Sequence, residues 1–119
     1  MLKSVIVVAA LAVGAPAFAA SSHLTDAQYM QAARCEALMS APALGAGDKT
    51  AIRALMRRES VGRTELAQDQ ADEMRRDAAR AASHAGSYER ASLIAERDGV
   101  CASLLGQQSA SVSNGVTSN

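Results

Sequence analysis

Cys35 and Cys101 are the only cysteines in the chain, and they stand 66 residues apart. Their meaning depends on the compartment, and the first twenty residues address it. Met1–Ala20 reads MLKSVIVVAALAVGAPAFAA. One cation, Lys3, precedes an apolar run from Val5 to Val13. Gly14 and Pro16 then interrupt helix propagation before Ala17-Phe18-Ala19. This is the three-part layout of a secretory signal peptide, with cleavage expected after Ala19. The run is too short for the roughly 30 Å of a hydrocarbon core, so no stable membrane anchor is expected after cleavage. No cysteine follows the cut to carry a lipid. The expected destination is the periplasm or beyond, where two thiols on one core pair as a disulfide.

Removing residues 1–19 leaves Ala20–Asn119, with eleven basic and twelve acidic side chains once Lys3 is gone. That balance exerts no long-range pull on nucleic acid, and a mature chain without Trp and with only Tyr29 and Tyr88 as aromatics offers no stacking platform. Nucleic acid is therefore not an expected partner.

Residues 24–106 carry helical spacing throughout and no alternating strand pattern. Thr25 with Gln28 forms a capping-box signature for a first helix from Asp26 to about Met39. Its predicted buried side holds Leu24, Ala27, Met30, Cys35, Leu38 and Met39, with Asp26 and Glu36 opposite. Pro42, Gly45 and Gly47 mark a loop, and Asp48 is placed to cap the next helix. An apolar face then runs in phase through Ile52, Leu55, Met56, Leu66, Ala67, Ala71, Met74, Ala78 and Ala81. It belongs either to one long helix or to two that meet near Gly62, with Thr64-Glu65 capping a fresh start. Ser83–Ser87 reads as a turn containing His84. A last helix from about Tyr88 to Leu105 carries Ala91, Ile94, Ala95, Cys101 and Leu105 on one stripe and ends at Gly106.

The disulfide bears on the two readings of the middle stretch. With one straight helix there and compact antiparallel neighbours, Cys35 and Cys101 would lie about sixteen residues apart along its axis, or roughly 24 Å, far outside bonding reach. Either the chain folds back near Gly62, giving four helices, or the loop from Ser40 to Gly47 stretches almost fully; the first option is the cheaper. The expected fold is an all-α bundle of three to four helices over residues 20–106, stapled by Cys35–Cys101, with a disordered Ser/Asn/Gln-rich tail over 107–119. That plan is similar, in architecture alone, to small periplasmic acid-stress chaperones, which are helical with one disulfide. The similarity implies an envelope-protection role and carries no residue-level motif.

Ala67, Ala71, Met74, Ala78 and Ala81 recur at spacings of four and three, which lets helix backbones approach closely. They are expected to pack inside the monomer, with a homodimer or an envelope-protein partner surface as the alternative. Glu59 with Arg63 and Asp72 with Arg76 read as solvent-facing pairs.

Chemistry-bearing constellations are sparse. Gly45–Thr50 resembles a phosphate loop, but Asp48 stands where a glycine is required and would repel phosphate. There is no Cys-x-x-Cys and no nucleophile elbow. His84 reads as a solvated loop residue. His23 would bind Cu(II) or Ni(II) in a square plane only if cleavage fell after Ala20 and left it third in the chain. No cofactor and no catalytic residues are expected. The expected function is a non-enzymatic binding or envelope stress-protection protein. The alternative is a binder of a small apolar ligand or metal in a cavity walled by Met30, Met39, Met56, Met74, Ile52, Leu55 and Leu93.

Overall fold

A computed structural model describes residues 23–45 and 47–116. The expected leader, its cleavage site and the last three residues of the tail lie outside the described residues. Within them the elements run α1 (Asp26–Ser40), a 3₁₀ turn (Pro42–Leu44), α2 (Thr50–Ser60), α3 (Glu65–His84), α4 (Ser87–Glu96), a π turn (Arg97–Cys101) and α5 (Ala102–Val116). Backbone at both ends of the π turn is right-handed helical, so α4, the π turn and α5 form one continuous rod. The result is an all-α bundle of four helices with no strand among the described residues.

The first helix is the hub. The Thr25 hydroxyl accepts from the Gln28 amide at 3.2 Å while the Gln28 side chain accepts from the Thr25 amide at 2.9 Å, so the capping box forms in full. Burial is wider than the one predicted side: Tyr29, Ala32, Ala33 and Ala37 are buried as well as Cys35, Leu38 and Met39, whereas Ala27 is exposed. A helix covered from several directions needs apolar or small residues around most of its girth, and α1 has them because α2, α3 and the π turn all pack on it.

The middle stretch breaks where the disulfide argument requires. Helix α2 ends at Ser60, Gly62 adopts φ +81°, and the Thr64 hydroxyl accepts from the Ala67 amide at 3.2 Å to begin α3. A left-handed φ is cheap for glycine alone. The break also resets helical phase, which is why Leu66, expected on the common apolar face, is 67% exposed. Ala67, Ala71, Ala78 and Ala82 are buried in the monomer, three of them in the core around α1. Only half-buried Met74 and exposed Ala81 remain of the stripe to meet any second copy.

Cys35 and Cys101 form the expected disulfide, with Cα atoms 5.5 Å apart and both residues fully buried. Two polar clamps flank it. Arg34 forks onto Glu96 at 2.6 and 3.1 Å, and Arg97 donates to the carbonyls of Leu44 and Gly45. Together they fix the rod to α1 and to the 3₁₀ turn. In α4, Ala91 and Ala95 of the predicted stripe are exposed, while Leu93 and Ile94 are half-buried. Past the wider π turn, which shifts the rod's phase, Leu104 is better buried than Leu105. Helical backbone also continues past Gly106, the expected stop, to Val116. One glycine inside a helix costs only about 1 kcal/mol, too little to end it.

Two outcomes follow. Reducing the disulfide, or replacing both cysteines with serine, removes a 66-residue closed loop and lowers unfolding free energy by about 4 kcal/mol on the chain-entropy estimate; urea titration with and without reductant measures it. The second concerns Asp48, whose Oδ1 accepts from the Thr50 amide at 2.9 Å, one residue ahead of the formal cap Lys49. That backbone hydrogen bond, helped by the Thr50 hydroxyl, holds the Asp48 carboxyl below its ordinary 3.8. A depressed folded-state value means stabilisation present above the ordinary value and lost as pH falls through the lowered one. Asp48→Ala therefore lowers the melting temperature at neutral pH, and the gap from wild type narrows as pH drops below about 4, which thermal melts across pH will read.

Candidate functional site

Small residues let α1 and α3 approach closely, and where α2 stands beside them the same smallness leaves space. A cleft of about 360 Å³ opens between the end of α1, the 3₁₀ turn, Arg53 of α2 and the second half of α3. Its floor is Ala37, Ala41, Pro42, Ala43 and Ala79, with Ser40 and Ser83 at the edge. A second hollow of about 460 Å³ continues from it, lined by Tyr29, Met56, Arg57 and Ser60. Glu36, Arg53 and Arg75 line both, so the two halves share one polar waist. Volumes of this order fall within the range of small-molecule sites.

The waist is electrostatically uneven. Arg75 is held from two sides, its Nη1 by Asp72 at 2.5 Å and its Nη2 by Glu36 at 3.2 Å. Asp72 thus pairs with Arg75 rather than with Arg76. The Nε of Arg75 is buried without a hydrogen-bond partner. Arg53 and Arg57, one turn apart on α2, are exposed, and neither guanidinium has a hydrogen bond or ion pair among the described residues. Like charges at this spacing repel by a few tenths of a kcal/mol, a cost that no ion pair among the described residues offsets. The helical spacing of Arg53, Met56, Arg57 and Ser60 puts all four on the groove side of α2.

Beyond the far hollow lies a buried ion cluster that corrects the solvent-facing reading of Glu59 and Arg63. Glu59 is 1% exposed and the Arg63 side chain 11%. Glu59 Oε2 accepts from the Leu24 amide at 3.1 Å and from Arg63 Nη2 at 3.1 Å. Arg63 also donates to the Leu24 and Glu59 carbonyls and to Asp26 at 2.7 Å, and its guanidinium lies 4.8 Å from the centroid of the Tyr29 ring. The chain entering α1 folds over the end of α2 and shields the pair from water, which two residues four apart on a helix cannot announce by themselves. The cluster fixes Tyr29, and so the wall of the far hollow.

The other candidates disperse. His23 is exposed, with Nδ1 3.6 Å from Glu59 Oε2. His84 is exposed in the last turn of α3 rather than in a loop. Asp98 pairs with Arg97 at 3.1 Å. No group of three His, Cys, Asp or Glu side chains among the described residues is arranged to hold a metal ion. The cavity expected between methionines, Ile52, Leu55 and Leu93 does not form as one space. Ile52 is closed in the core, Leu55 lines a groove against α5, Met56 lines the far hollow and Leu93 a hollow beside Tyr88. Sequence reasoning missed Arg53 and Arg57; their signal was the run Lys49, Arg53, Arg57 at four-residue steps, with no acid placed to pair along it.

The chain matches no family model, no curated protein and no solved structure.

Removing one member of a buried ion pair strands the other. Glu59→Ala is expected to cost near the lower end of about 3–5 kcal/mol, because Arg63 keeps Asp26 and two carbonyls. Chemical denaturation measures the loss, and a change within error of zero would mean the pair is solvated after all.

Proposed function

We propose that this is a non-enzymatic binding protein that works outside the cytoplasm by holding a small ligand in the groove between α1, α2 and α3. Residues 1–19 serve as its export signal, cut after Ala19, and the periplasm or the medium is its place of work. Two facts bear on the compartment: the Cys35–Cys101 bond suits a non-reducing environment, and no helix among the described residues is long and apolar enough to cross a membrane.

The observation that carries this reading is the groove itself. It combines an apolar floor, concave shape and a few convergent polar groups, the ordinary make-up of a ligand site. Two of its sides, α1 and α3, form the most heavily packed part of the bundle, which holds them in place before a ligand arrives. Envelope protection by capture of unfolded clients is the weaker reading. The large exposed apolar side chains are few: Val61 in the α2–α3 turn, Leu66 at the start of α3, and Tyr88 and Val100 twelve residues apart on the last rod. Scattered single residues of this kind are normal on any surface.

Ala79 is exposed on the groove floor, so Ala79→Trp fills the cleft without disturbing the core. Native mass spectrometry of the full exported protein, purified from its own host, is expected to show a bound small molecule. Ala79→Trp is expected to lose it while melting at the wild-type temperature. Ligand-free wild-type protein, or an adduct that survives Ala79→Trp, would count against the groove.

A further inference from the structure

The geometry points to an amphipathic organic anion as the ligand: an oxyanion head at the waist of the groove, carried on a short aliphatic chain that lies along its alanine floor. This rests on the groove being the binding site and adds the chemical class of what it takes.

The head is placed by charge. Arg53, Arg57 and Arg75 converge on the waist and the far hollow, against the carboxylates of Glu36 and Asp72. Both carboxylates are spent on Arg75, and among the described residues the guanidiniums of Arg53 and Arg57 have no acid. Two arginines one helical turn apart, both lining the far hollow, offer it several N–H donors, a supply that suits a carboxylate or an ester sulfate. The buried Nε of Arg75 adds a donor that lacks an acceptor at the same waist. A buried donor without a partner is costly, and an oxyanion placed beside Arg75 would supply the acceptor it lacks.

The tail is placed by shape. On the side away from Arg57 the groove is floored by Ala37, Ala41, Pro42, Ala43 and Ala79, with no charged group except those of the waist. A neutral apolar ligand would use this floor and leave the arginines idle. A bare inorganic anion would use the arginines and leave the floor wet. One molecule with both features satisfies both halves.

Isothermal titration of the oxidised mature protein with octanoate, octyl sulfate, octan-1-ol and inorganic phosphate tests this. At least one of the two anionic amphiphiles is expected to bind at one site per chain, and the tighter of them identifies the head. Octan-1-ol and phosphate are each expected to bind at least about tenfold more weakly. Replacing both Arg53 and Arg57 with glutamine is expected to weaken the anion at least about tenfold at an unchanged melting temperature, with Arg53→Lys in wild-type background losing less. Octan-1-ol binding as tightly as the anions, and blocked by Ala79→Trp, would overturn the anionic head while leaving the groove as a binding site. Phosphate binding as tightly would overturn the tail. Affinity indifferent to the double glutamine variant would overturn the role of the arginines. If no probe binds and host-purified protein carries no adduct, the class of ligand and the groove fall together; if no probe binds but an adduct sensitive to Ala79→Trp is present, only the class falls.

Discussion

The Cys35–Cys101 bond joins the hub helix to the middle of the chain's last helical rod, and most of the arrangement depends on that one crossing. It requires the chain to reverse near Gly62, because an unbroken helix through that region would hold the two sulfurs a bundle-length apart. It draws the π turn against α1, where Arg34–Glu96 and Arg97 with the Leu44 and Gly45 carbonyls lock the contact. These polar clamps gain from the bond: charged side chains that are already brought together lose less freedom when they pair. The covalent link and the clamps thus act on the same joint.

The remaining stability comes from a core rich in alanine. Ala32, Ala33, Ala71 and Ala78 are all but fully buried, and each removes little surface from water compared with leucine or phenylalanine. What alanine contributes instead is close backbone approach between α1 and α3. Close approach of two helices cannot be extended to a third on every side. Helix α2 packs its Ile52, Leu55 and Met56 into the core and holds Arg53 and Arg57 beside the gap that remains. The groove is therefore a consequence of how the core is made, not an addition to it. Alanine thus serves twice, in the thin core as Ala32, Ala33, Ala71 and Ala78 and in the groove lining as Ala37, Ala41, Ala43 and Ala79.

How far the sequence discloses this depends on whether a feature is local or assembled. The capping box at Thr25 and Gln28, the fresh start at Thr64 and the glycine reversal at Gly62 are written in adjacent residues, and all three are where the sequence places them. The disulfide was legible because only one pairing exists. Features that need a third element were not. Glu59 and Arg63 look like a surface pair until the segment at Leu24 closes over them. Leu66 shares an apolar phase with Ile52 until the break at Gly62 rotates it to solvent. The π turn has no compositional mark in Arg97–Cys101, yet it moves the buried face of everything after it. The stripe of basic residues along α2 was in plain view, but only the structure shows that the acids near it are taken by Arg75.

That last distribution of charge bears on how the groove would select. Glu36 and Asp72 hold Arg75 from two sides, whereas Arg53 and Arg57 are exposed and make no hydrogen bond or ion pair among the described residues. A pre-ordered donor loses little entropy on binding, and donors that must still be ordered lose more. On the proposed reading, an oxyanion arriving from water would meet the exposed pair first and the paired Arg75 at the waist second. Because Glu36 also faces the waist, an anion placed too deep would meet its carboxylate and be repelled. The depth at which a head group is tolerated is thus bounded by an acid on the inside and cations on the outside. A chain too long for the alanine floor would push its head outward past the arginines, and a chain too short would leave the floor wet. On the proposed reading, charge would set where the head rests, and the length of the floor would then set which tails fit.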